Sequence, residues 1–370
     1  MMPKISIFLP SLKCGGAERL HLNLAQDWLQ RGYEVEIVLM RKEGELLSLL
    51  PPEITIVNLK ISRIRHILFP YVIYLRKSRP DIVLVAMWPL TSYSIISWIL
   101  SGKIGKIYVS DHNHLSVSAI QESHVSKLYL KWFIRFTYPF ANGVIAVSNG
   151  VKKDLSAIGS FTDKQIKVIY NPAAIGVSTS RESENVRVEL WRGNYAYNIL
   201  SVGTLIKQKD HETLLKAFSL LPKSLNAKLV IIGEGSLRNY LSVLIEQLSL
   251  NNRVDLLGFV ENPYPWFRSA DLFVLTSQWE GFGNVIVEAL ECGVPVVSTN
   301  CPSGPAEILD NGRYGRLIPV GNPTALATAI AASLNESHDR TFLMNRAKDF
   351  SVPYISDQYL DYFFGKNKFA

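Results

Sequence analysis

The chain has 370 residues, of which 48% are hydrophobic and 19% are charged. This composition is that of a globular protein and excludes a disordered or fibrous chain. One hydrophobic core stops growing below this length, so we expect two domains of ordinary size. The net charge of +7 is uneven: residues 1–180 contain 21 basic and 12 acidic side chains, whereas residues 181–370 contain 18 and 20. The basic first half suggests an anionic partner, either nucleic acid, a membrane surface or a phosphorylated lipid.

The three cysteines, Cys14, Cys292 and Cys301, form no C-x-x-C pair, and no histidine cluster has metal-ligand spacing. We therefore expect a reducing compartment and no structural metal ion. Residues 1–10 are typical of a short buried strand, because they lack the longer apolar core and the cleavage site of a signal peptide. A cytoplasmic location is the expectation.

The uncharged stretch Ile82–Ser101 has about the length of a bilayer span. Pro89 interrupts it, and polar side chains dilute it, among them Thr91, Ser92, Ser94 and Ser97. Its β-branched start favours a buried strand that leads into a partly buried helix.

Strand-like apolar runs alternate with amphipathic helical runs along the first half. In chain order the predicted elements are strand Ile5–Leu9, helix Ala17–Arg31, and strands Glu34–Met40, Ile82–Val85, Ile107–Ser110 and Gly143–Val147. This alternation predicts a parallel sheet covered by helices on both faces.

The pattern breaks at Asn171 and Pro172, and a polar stretch follows from Ser178 to Asn198. The second half then repeats the scheme, with strands Asn198–Val202, Ala227–Ile232, Val254–Leu257, Leu272–Leu275 and Val294–Ser298 and helices His211–Leu221 and Ser236–Leu248.

We predict an α/β protein with two doubly wound, Rossmann-like domains. The first covers residues 1–172, the second covers 173–351, and a C-terminal helix within 352–370 packs back on the first domain. Ligands of such sheets bind outside the carboxyl ends of the strands, so we expect a shared site in a cleft between the domains.

The most informative segment runs from Glu280 to Glu288, just after the strand Leu272–Leu275. It is typical of a glycine loop that opens a helix, whose first amides attract anions. Gly281 and Gly283 would let the backbone approach a diphosphate closely. The alternative is that both glycines are turn residues and both glutamates are solvated.

A wider likeness extends over nearly the whole chain in the same order. It comprises residues 15–18 (GGAE), 202–205 (VGTL), Lys209, 232–235 (IGEG), 270–277 (ADLFVLTS), 280–290, 293–297 (GVPVV) and 304–308 (GPAEI). Together these segments resemble glycosyltransferase family 4, a large family of retaining enzymes with the GT-B fold.

The resemblance implies roles for single residues of the second domain. Glu280 would contact hydroxyls of the transferred sugar, and Glu288 would hydrogen-bond the ribose of the nucleotide. The amides implied to hold sugar and phosphate are those of Gly281, Phe282, Gly283 and Asn284.

The family also has a basic pair that neutralises the diphosphate leaving group. Lys209 matches its lysine, whereas Thr204 stands where many members have arginine, and Lys207 is close enough to supply the missing charge. A solvated basic loop is the alternative. Lysine and helix-end amides can stabilise the leaving group without a metal ion, and no acidic triad at metal spacing appears near the loop, so we expect no metal ion and no cofactor.

Two loops of the first domain are further candidates. Gly15 and Gly16 lack the G-x-G-x-x-G spacing, so NAD binding is not expected; in the resembled family this loop faces the acceptor and the donor phosphates. We interpret Cys14 as a small neighbour rather than a nucleophile. His112 follows the strand Ile107–Ser110, where a site is expected. The resemblance places a histidine beside the reacting sugar, with His112 preferred and His114 in reserve, and an ordinary loop histidine is the alternative.

Basic and aromatic residues combine in 60–79 and 127–136. In the second segment Lys127, Lys131 and Arg135 are spaced four apart, and Trp132, Phe133 and Phe136 supply apolar contact. This pattern indicates a helix lying on an anionic membrane surface. A solvated basic face is the alternative.

We therefore expect transfer of a hexose or N-acetylhexosamine from a UDP- or GDP-sugar to a glycan or lipid-linked acceptor in envelope polysaccharide assembly. The rivals are a UDP-sugar epimerase or hydrolase of the same fold and a catalytically silent subunit of a partner transferase. Nucleic-acid binding is disfavoured, because no nucleic-acid module is present and the basic runs are strongly apolar.

Overall fold

The computed structural model describes residues 2–13, 15–121, 126–162, 165–177 and 181–365, without the side chains of 119–121 and 184. The chain divides into two compact units. Unit 1 comprises Met1–Pro172 together with Val352–Ala370, and unit 2 comprises Ala173–Ser351. Cys14 lies outside the described residues.

Unit 1 is built on a parallel sheet, seven-stranded in the described part of the chain, with the order β3-β2-β1-β4-β5-β6-β7. Its five inner strands are apolar and almost fully buried, as expected for a sheet covered on both faces, whereas the two edge strands are partly exposed. They are β1 (Lys4–Leu9), β2 (Glu34–Leu39), β3 (Thr55–Asn58), β4 (Ile82–Ala86), β5 (Lys106–Asp111), β6 (Gly143–Ala146) and β7 (Ile166–Val168).

The helices of unit 1 cover this sheet. They are α1 (Gly16–Gln30), α2 (Leu68–Ser78), α3 (Leu90–Ser101), α4 (Leu115–Gln121), α5 (Lys127–Thr137), α6 (Asn149–Gly159) and, from the far end of the chain, α15 (Val352–Phe364). Helix α15 packs on α1, where the rings of Tyr359 and Phe363 meet the fully buried Trp28 at centroid distances of 6.1 and 5.8 Å. Arg31 also binds Asp357 at 2.5 Å.

Unit 2 repeats the arrangement with a parallel sheet, six-stranded in the residues described, in the order β10-β9-β8-β11-β12-β13. Its strands are β8 (Tyr197–Val202), β9 (Ala227–Ile232), β10 (Val254–Gly258), β11 (Leu272–Leu275), β12 (Val296–Thr299) and β13 (Arg316–Ile318). Its helices are α7 (Glu184–Trp191), α8 (His211–Leu220), α9 (Arg238–Gln247), α10 (Tyr264–Ser269), α11 (Asn284–Glu291), α12 (Pro305–Ile308), α13 (Pro323–Leu334) and α14 (Arg340–Lys348).

Both sheets have the doubly wound strand order, and this order fixes where a ligand can bind. The chain adds strands to one side of β1 and then to the other, so the sheet of unit 1 reverses between β1 and β4. Unit 2 reverses in the same way between β8 and β11. Loops that leave two neighbouring strands at such a point diverge and open a crevice at the carboxyl edge of the sheet.

Of two segments that were uncertain from the sequence, the structure confirms the prediction for one and corrects it for the other. The uncharged stretch 82–101 forms β4 and α3, and among the described helices none combines the length and apolar character needed to cross a bilayer. The stretch that we expected to be a polar break instead contains α7, whose Trp191 is fully buried and donates from its indole nitrogen to Ser269 at 2.9 Å. One large apolar anchor therefore fixes a helix in an otherwise polar segment.

Candidate functional site

The loops after β8 and β11 meet at the reversal point of unit 2. The two strands pair directly, with Phe273 opposite Leu200. Beyond their ends, the Thr276 hydroxyl donates to the Lys209 carbonyl at 2.8 Å, and the Gln278 amide donates to the Gln208 carbonyl at 2.8 Å. These bonds hold the two loops together although 71 residues separate Lys209 from Glu280.

An ion pair joins Lys209 and Glu280 at this point. Lys209 Nζ lies 2.5 Å from Glu280 Oε1, and the same oxygen accepts a hydrogen bond from Ser277 Oγ at 2.6 Å. The side chains are only 18% and 8% exposed, so their charges act in a poorly solvated place. The stem of Lys209 runs over Gly203, where an added Cβ would lie 3.4 Å from it.

The glycine loop follows directly and starts α11. Gly283 precedes the helix with φ +100°, a left-handed conformation that favours glycine. Having no side chain, Gly283 leaves the helix end without a side-chain cap, and the dipole of α11 makes this end attractive to an anion. Asn284 and Glu288 lie on α11 and are partly exposed.

Phe282 contributes to this loop through its backbone alone. Its side chain is 2% exposed and packs edge-on against Phe350, at a centroid distance of 5.4 Å. Its carbonyl oxygen lies so close to Gly304 that a Cβ added there would be 1.8 Å away. Only the backbone amide of Phe282 can therefore bind sugar or phosphate, as the resemblance implies for residues 281–284.

The residues proposed beside Lys209 are both on the surface. Lys207 and Lys209 share one 3₁₀ turn, Lys207–Lys209, and Lys207 is exposed, as is Thr204. The backbone next to Thr204 is fixed, because the Leu205 amide donates to the Glu234 carbonyl at 2.9 Å. The structure thus brings Lys209 to Glu280 and leaves Lys207 and Thr204 facing solvent.

Sequence reasoning missed two further groups that hold Glu280, one side chain and one backbone carbonyl. Ser277 binds its carboxylate, and the Glu280 amide donates to the Pro302 carbonyl at 3.2 Å. Burial raises the pKa of the nearby Cys301 thiol to about 12, which makes it an unreactive neighbour. The available signal was the position of Ser277 right after a buried strand, three residues before Glu280.

The first loop of unit 1 lies at the reversal point of its own sheet. Gly15 precedes α1 in an extended conformation, and the carboxylate of Glu18 folds back over it, 2.1 Å from where a Cβ would be. Gly16 is the first residue of α1. Burial raises the pKa of Glu18.

His112 directly follows β5 and is half-buried. Its Nε2 lies 3.0 Å from Ser110 Oγ, and its ring meets the ring of His21 edge-on. Burial lowers the pKa of His112 well below its usual value, and the nearby His21 lowers it further. A side-chain hydrogen bond with Asn171 acts in the opposite direction and raises this pKa. His112 is therefore a neutral imidazole at neutral pH.

His114 and Asp111 have separate partners. His114 Nδ1 lies 3.1 Å from Ser116 Oγ and 3.4 Å from Asp154. Asp111 is fully buried and accepts a hydrogen bond from the Tyr138 hydroxyl at 2.6 Å. Burial raises the pKa of Asp111 to about 7. No sequence pattern separates Asp111 from the His112 loop, yet its carboxyl group is part of the core.

Helix α5 presents basic and aromatic side chains to solvent. Lys127, Lys131 and Arg135 are exposed. The exposed apolar residues of the helix, with their exposed fractions, are Leu128 (66%), Tyr129 (46%), Trp132 (53%) and Phe136 (57%). We call these seven residues the α5 surface. Phe133, expected to be part of it, is instead half-buried against Tyr93 at 5.1 Å.

Two sequence families match the chain in succession. The family described as glycosyltransferase family 4 matches residues 14–175, and the family described as glycosyl transferases group 1 matches residues 182–350. Together the two matches span most of both units.

Characterised relatives align over nearly the full length. The chain is 30% identical over 358 residues to the N-acetylgalactosamine-N,N'-diacetylbacillosaminyl-diphospho-undecaprenol 4-alpha-N-acetylgalactosaminyltransferase of Campylobacter jejuni, with 94% of each chain covered. It is 28% identical over 362 residues to the lipopolysaccharide core biosynthesis glycosyltransferase LpsE of Rhizobium meliloti, covering 94% of this chain and 95% of LpsE.

Solved structures share the fold. The crystal structure of Anabaena HepE in complex with UDP superposes with a TM-score of 0.81 at 22% identity and covers 97% of this chain and 99% of HepE. The same protein in complex with UDP-glucose gives a TM-score of 0.80 at 24% identity, covering 97% and 98%.

Proposed function

The chain belongs to the group 1 glycosyltransferases of family 4 and has their GT-B architecture, and from this premise we propose that unit 2 binds a nucleoside diphosphate sugar. The observation that carries the proposal is the Lys209–Glu280 ion pair at the reversal point, directly before the amino end of α11. A cation, a carboxylate and a helix end meet there, and a sugar diphosphate has a complementary group for each.

Lys209 and the amino end of α11 suit the diphosphate. Negative charge grows on the leaving nucleoside diphosphate as the glycosidic bond breaks. Fixed positive charge stabilises this change most where little water competes with it. Lys209, largely buried and fixed by Glu280, meets this requirement, and the amides of 281–284 add the dipole of α11.

Glu280 suits the sugar and Glu288 the nucleoside. Glu280 has a second oxygen, Oε2, beside the one that Lys209 and Ser277 share, and a carboxylate oxygen can accept from sugar hydroxyls. Glu288, farther along α11 and partly exposed, is assigned to the ribose. Lys207 and Thr204 are assigned to the outer side of the diphosphate.

Transfer with retention of configuration is part of the proposal. A front-face attack would let the leaving phosphate help to deprotonate the acceptor, so no enzyme nucleophile is needed. His112 and the loop of Gly15 and Gly16 are assigned to the reacting sugar and the acceptor. The donor is a hexose or N-acetylhexosamine linked to UDP or GDP; UDP is favoured because HepE was crystallised with it.

A lipid-linked or glycan acceptor is favoured by the relatives and by the α5 surface. The Campylobacter relative is named for a diphospho-undecaprenol acceptor, and LpsE for lipopolysaccharide core biosynthesis. The α5 surface combines cations and exposed aromatic rings, which suits an anionic membrane. We assign the enzyme to the cytoplasmic face of such a membrane.

The test is a titration of the purified protein with a panel of UDP- and GDP-sugars, followed by transfer to a short lipid-linked acceptor. We expect saturable binding of one donor, and a new glycosidic bond of retained anomeric configuration in the product's NMR spectrum. Inversion would contradict retention. Turnover of donor without acceptor would identify a hydrolase or epimerase, and binding without any turnover would identify a silent subunit.

A further inference from the structure

A half-buried tryptophan borders the crevice of unit 1. Trp88 lies just beyond the end of β4, one of the two strands between which the sheet reverses. Strand β4 pairs with β5 as far as Ala86 and Ser110, and one more bond follows, from the Met87 amide to the Ser110 carbonyl at 3.0 Å. Trp88 therefore lies in the loop next to that of His112, yet it has no role in the function proposed above.

Buried hydrogen bonds fix the backbone of this loop. The Asp111 carboxyl group accepts from the Trp88 backbone and from the Tyr138 hydroxyl, the latter at 2.6 Å. The same hydroxyl lies 2.8 Å from Oγ1 of Thr91, in the first turn of α3. Asp111, Tyr138 and Thr91 are all buried, so little water competes with these bonds. The core of unit 1 therefore sets the position of Trp88 at the carboxyl edge.

Aromatic rings of the neighbouring helices support the indole ring from one side. Trp88 meets the ring of Tyr129 edge-on, at a centroid distance of 6.4 Å. Tyr129 is itself fixed, because its ring stacks on Phe133 at 5.2 Å and a side-chain hydrogen bond joins it to Tyr93. Since Tyr129 belongs to the α5 surface, these rings connect that surface with the loop beside His112.

The indole ring has two features that suit a sugar. One face of a pyranose ring carries several C–H groups, whose partial positive charge suits the negative face of an aromatic ring. The Nε1 donor of Trp88 is buried without an acceptor among the residues that the structure describes, which is costly, and a sugar oxygen would satisfy it. The half-buried His112, Asn113 and His114 follow in the adjacent loop. An aromatic ring beside a few polar groups is the usual composition of a small-molecule site.

We propose that Trp88 is the stacking platform for the sugar of the acceptor, which lies on the indole ring with its reacting hydroxyl toward His112. A lipid attached to that sugar then leaves along Tyr129 toward the α5 surface. This inference rests on the proposed function, because it takes the acceptor to be a glycan or a lipid-linked sugar. The placement of the ring depends on the geometry of unit 1 alone.

Fluorine NMR of the full chain labelled with 5-fluorotryptophan tests sugar binding without any turnover. The chain has seven tryptophans, and the signal of Trp88 is assigned by its loss in Trp88→Phe. The probes are the methyl glycosides of glucose, galactose, N-acetylglucosamine and N-acetylgalactosamine. We expect at least one of them to move the Trp88 signal saturably. Sorbitol, which has similar hydroxyls but no ring, should leave it in place, and the signal of Trp132, exposed on α5, should not respond to any probe.

Kinetics tests the role in transfer, with the sugar that moves the signal carried on a short, water-soluble prenyl diphosphate as the acceptor. Trp88→Leu keeps an apolar side chain without the aromatic face, so we expect the KM for the acceptor to rise by about 10-fold, with kcat and the donor KM nearly unchanged. Trp88→Phe keeps an aromatic face and should stay within about 3-fold of the parent. Trp132→Leu is the matched control and should leave the acceptor KM unchanged.

Three results would overturn the inference. The first is a Trp88 signal that none of the four glycosides moves, and the second is an acceptor KM that Trp88→Leu leaves unchanged. The third is an equal rise of this KM in Trp132→Leu, which would indicate a general loss of aromatic surface. Should Trp88→Leu not fold, Trp88→Met takes its place. If no donor supports transfer, the proposed function fails, while the fluorine signals still decide whether Trp88 binds a sugar.

Discussion

At the scale of single residues, Lys209 and Glu280 hold each other in place as an ion pair, and both are assigned to the donor. We predict that Glu280→Gln and Lys209→Ala each lower turnover by at least about 100-fold, because each removes a preorganised contact to the transition state. Steady-state rates at saturating donor check this, with circular dichroism to confirm that the variants fold.

The control for this prediction is another largely buried ion pair of unit 2. Lys228 Nζ lies 3.0 Å from Asp255, between strands β9 and β10. Breaking a buried pair destabilises a protein wherever it lies. Lys228→Ala should therefore lower stability while leaving turnover of the folded enzyme near the parent value. Near-normal rates in both Lys209→Ala and Glu280→Gln would refute the assignment of the donor site.

Glu288 should behave differently, because it is assigned to the nucleoside and not to the reacting centre. We predict that Glu288→Ala weakens the binding of UDP or GDP by about 10-fold, the effect of one or two lost charge-assisted hydrogen bonds. Isothermal titration with the free nucleotide measures this without any acceptor. An unchanged nucleotide affinity would exclude the ribose role.

The sequence predicted the candidate residues of the donor site but not how they are joined. Lys209 and Glu280 could be named from the resemblance, each on its own. Their 2.5 Å contact depends on β8 and β11 being neighbours, a long-range pairing that no local pattern encodes. The contact between His21 and His112 could not be predicted for the same reason, because His21 lies on α1 and His112 follows β5, far apart in the sequence.

At the scale of elements, the α5 surface makes a prediction about membranes. Each basic residue near an anionic surface contributes about 1 kcal/mol, so Lys127, Lys131 and Arg135 together supply about 3 kcal/mol. Such attachment is weak, and salt screens it over about 8 Å at physiological ionic strength. We predict that the triple change to glutamine releases the protein from anionic vesicles in sedimentation assays while sparing transfer to a short soluble acceptor.

A control variant with the same loss of charge tests whether vesicle binding depends on α5 itself or only on the net charge of unit 1. Lys103, Lys106 and Lys153 are exposed residues of unit 1 outside α5. Changing these three to glutamine should leave vesicle binding nearly intact. If the parent fails to bind vesicles at low salt, or if the α5 variant binds as well as the parent, the α5 surface is merely solvated.

Elements were predicted best where several apolar residues follow one another. Leu272–Leu275 and Ala227–Ile232 are strands with the bounds expected from the sequence. The short strands β3, β7 and β13 were missed, because each contains a polar residue and is only partly buried, and so lacks a continuous apolar run. Helix α5 was found from its spacing, but its inward side was misjudged at Phe133, because aromatic residues surround that position on both sides.

At the scale of the whole molecule, the contact between α15 and α1 closes the core of unit 1. We predict that Phe363→Ala destabilises unit 1 by about 3–5 kcal/mol, because it removes a buried ring from beside Trp28. Hydrogen exchange of the α1 amides measures the loss. Tyr354→Ala, on the same helix but 55% exposed, should change stability by less than about 0.5 kcal/mol. Equal protection of α1 in both variants would contradict the prediction.

The division of unit 1 between two stretches of chain also sets the order in which the protein can be completed during synthesis. Trp28 leaves the ribosome early, whereas Tyr359 and Phe363 are made only after all of unit 2. At 5–20 residues per second, the intervening domain takes on the order of ten to thirty seconds to translate. During that interval unit 2 can finish folding, while the apolar face of α1 waits uncovered, and the nascent chain is then most open to chaperones and to aggregation.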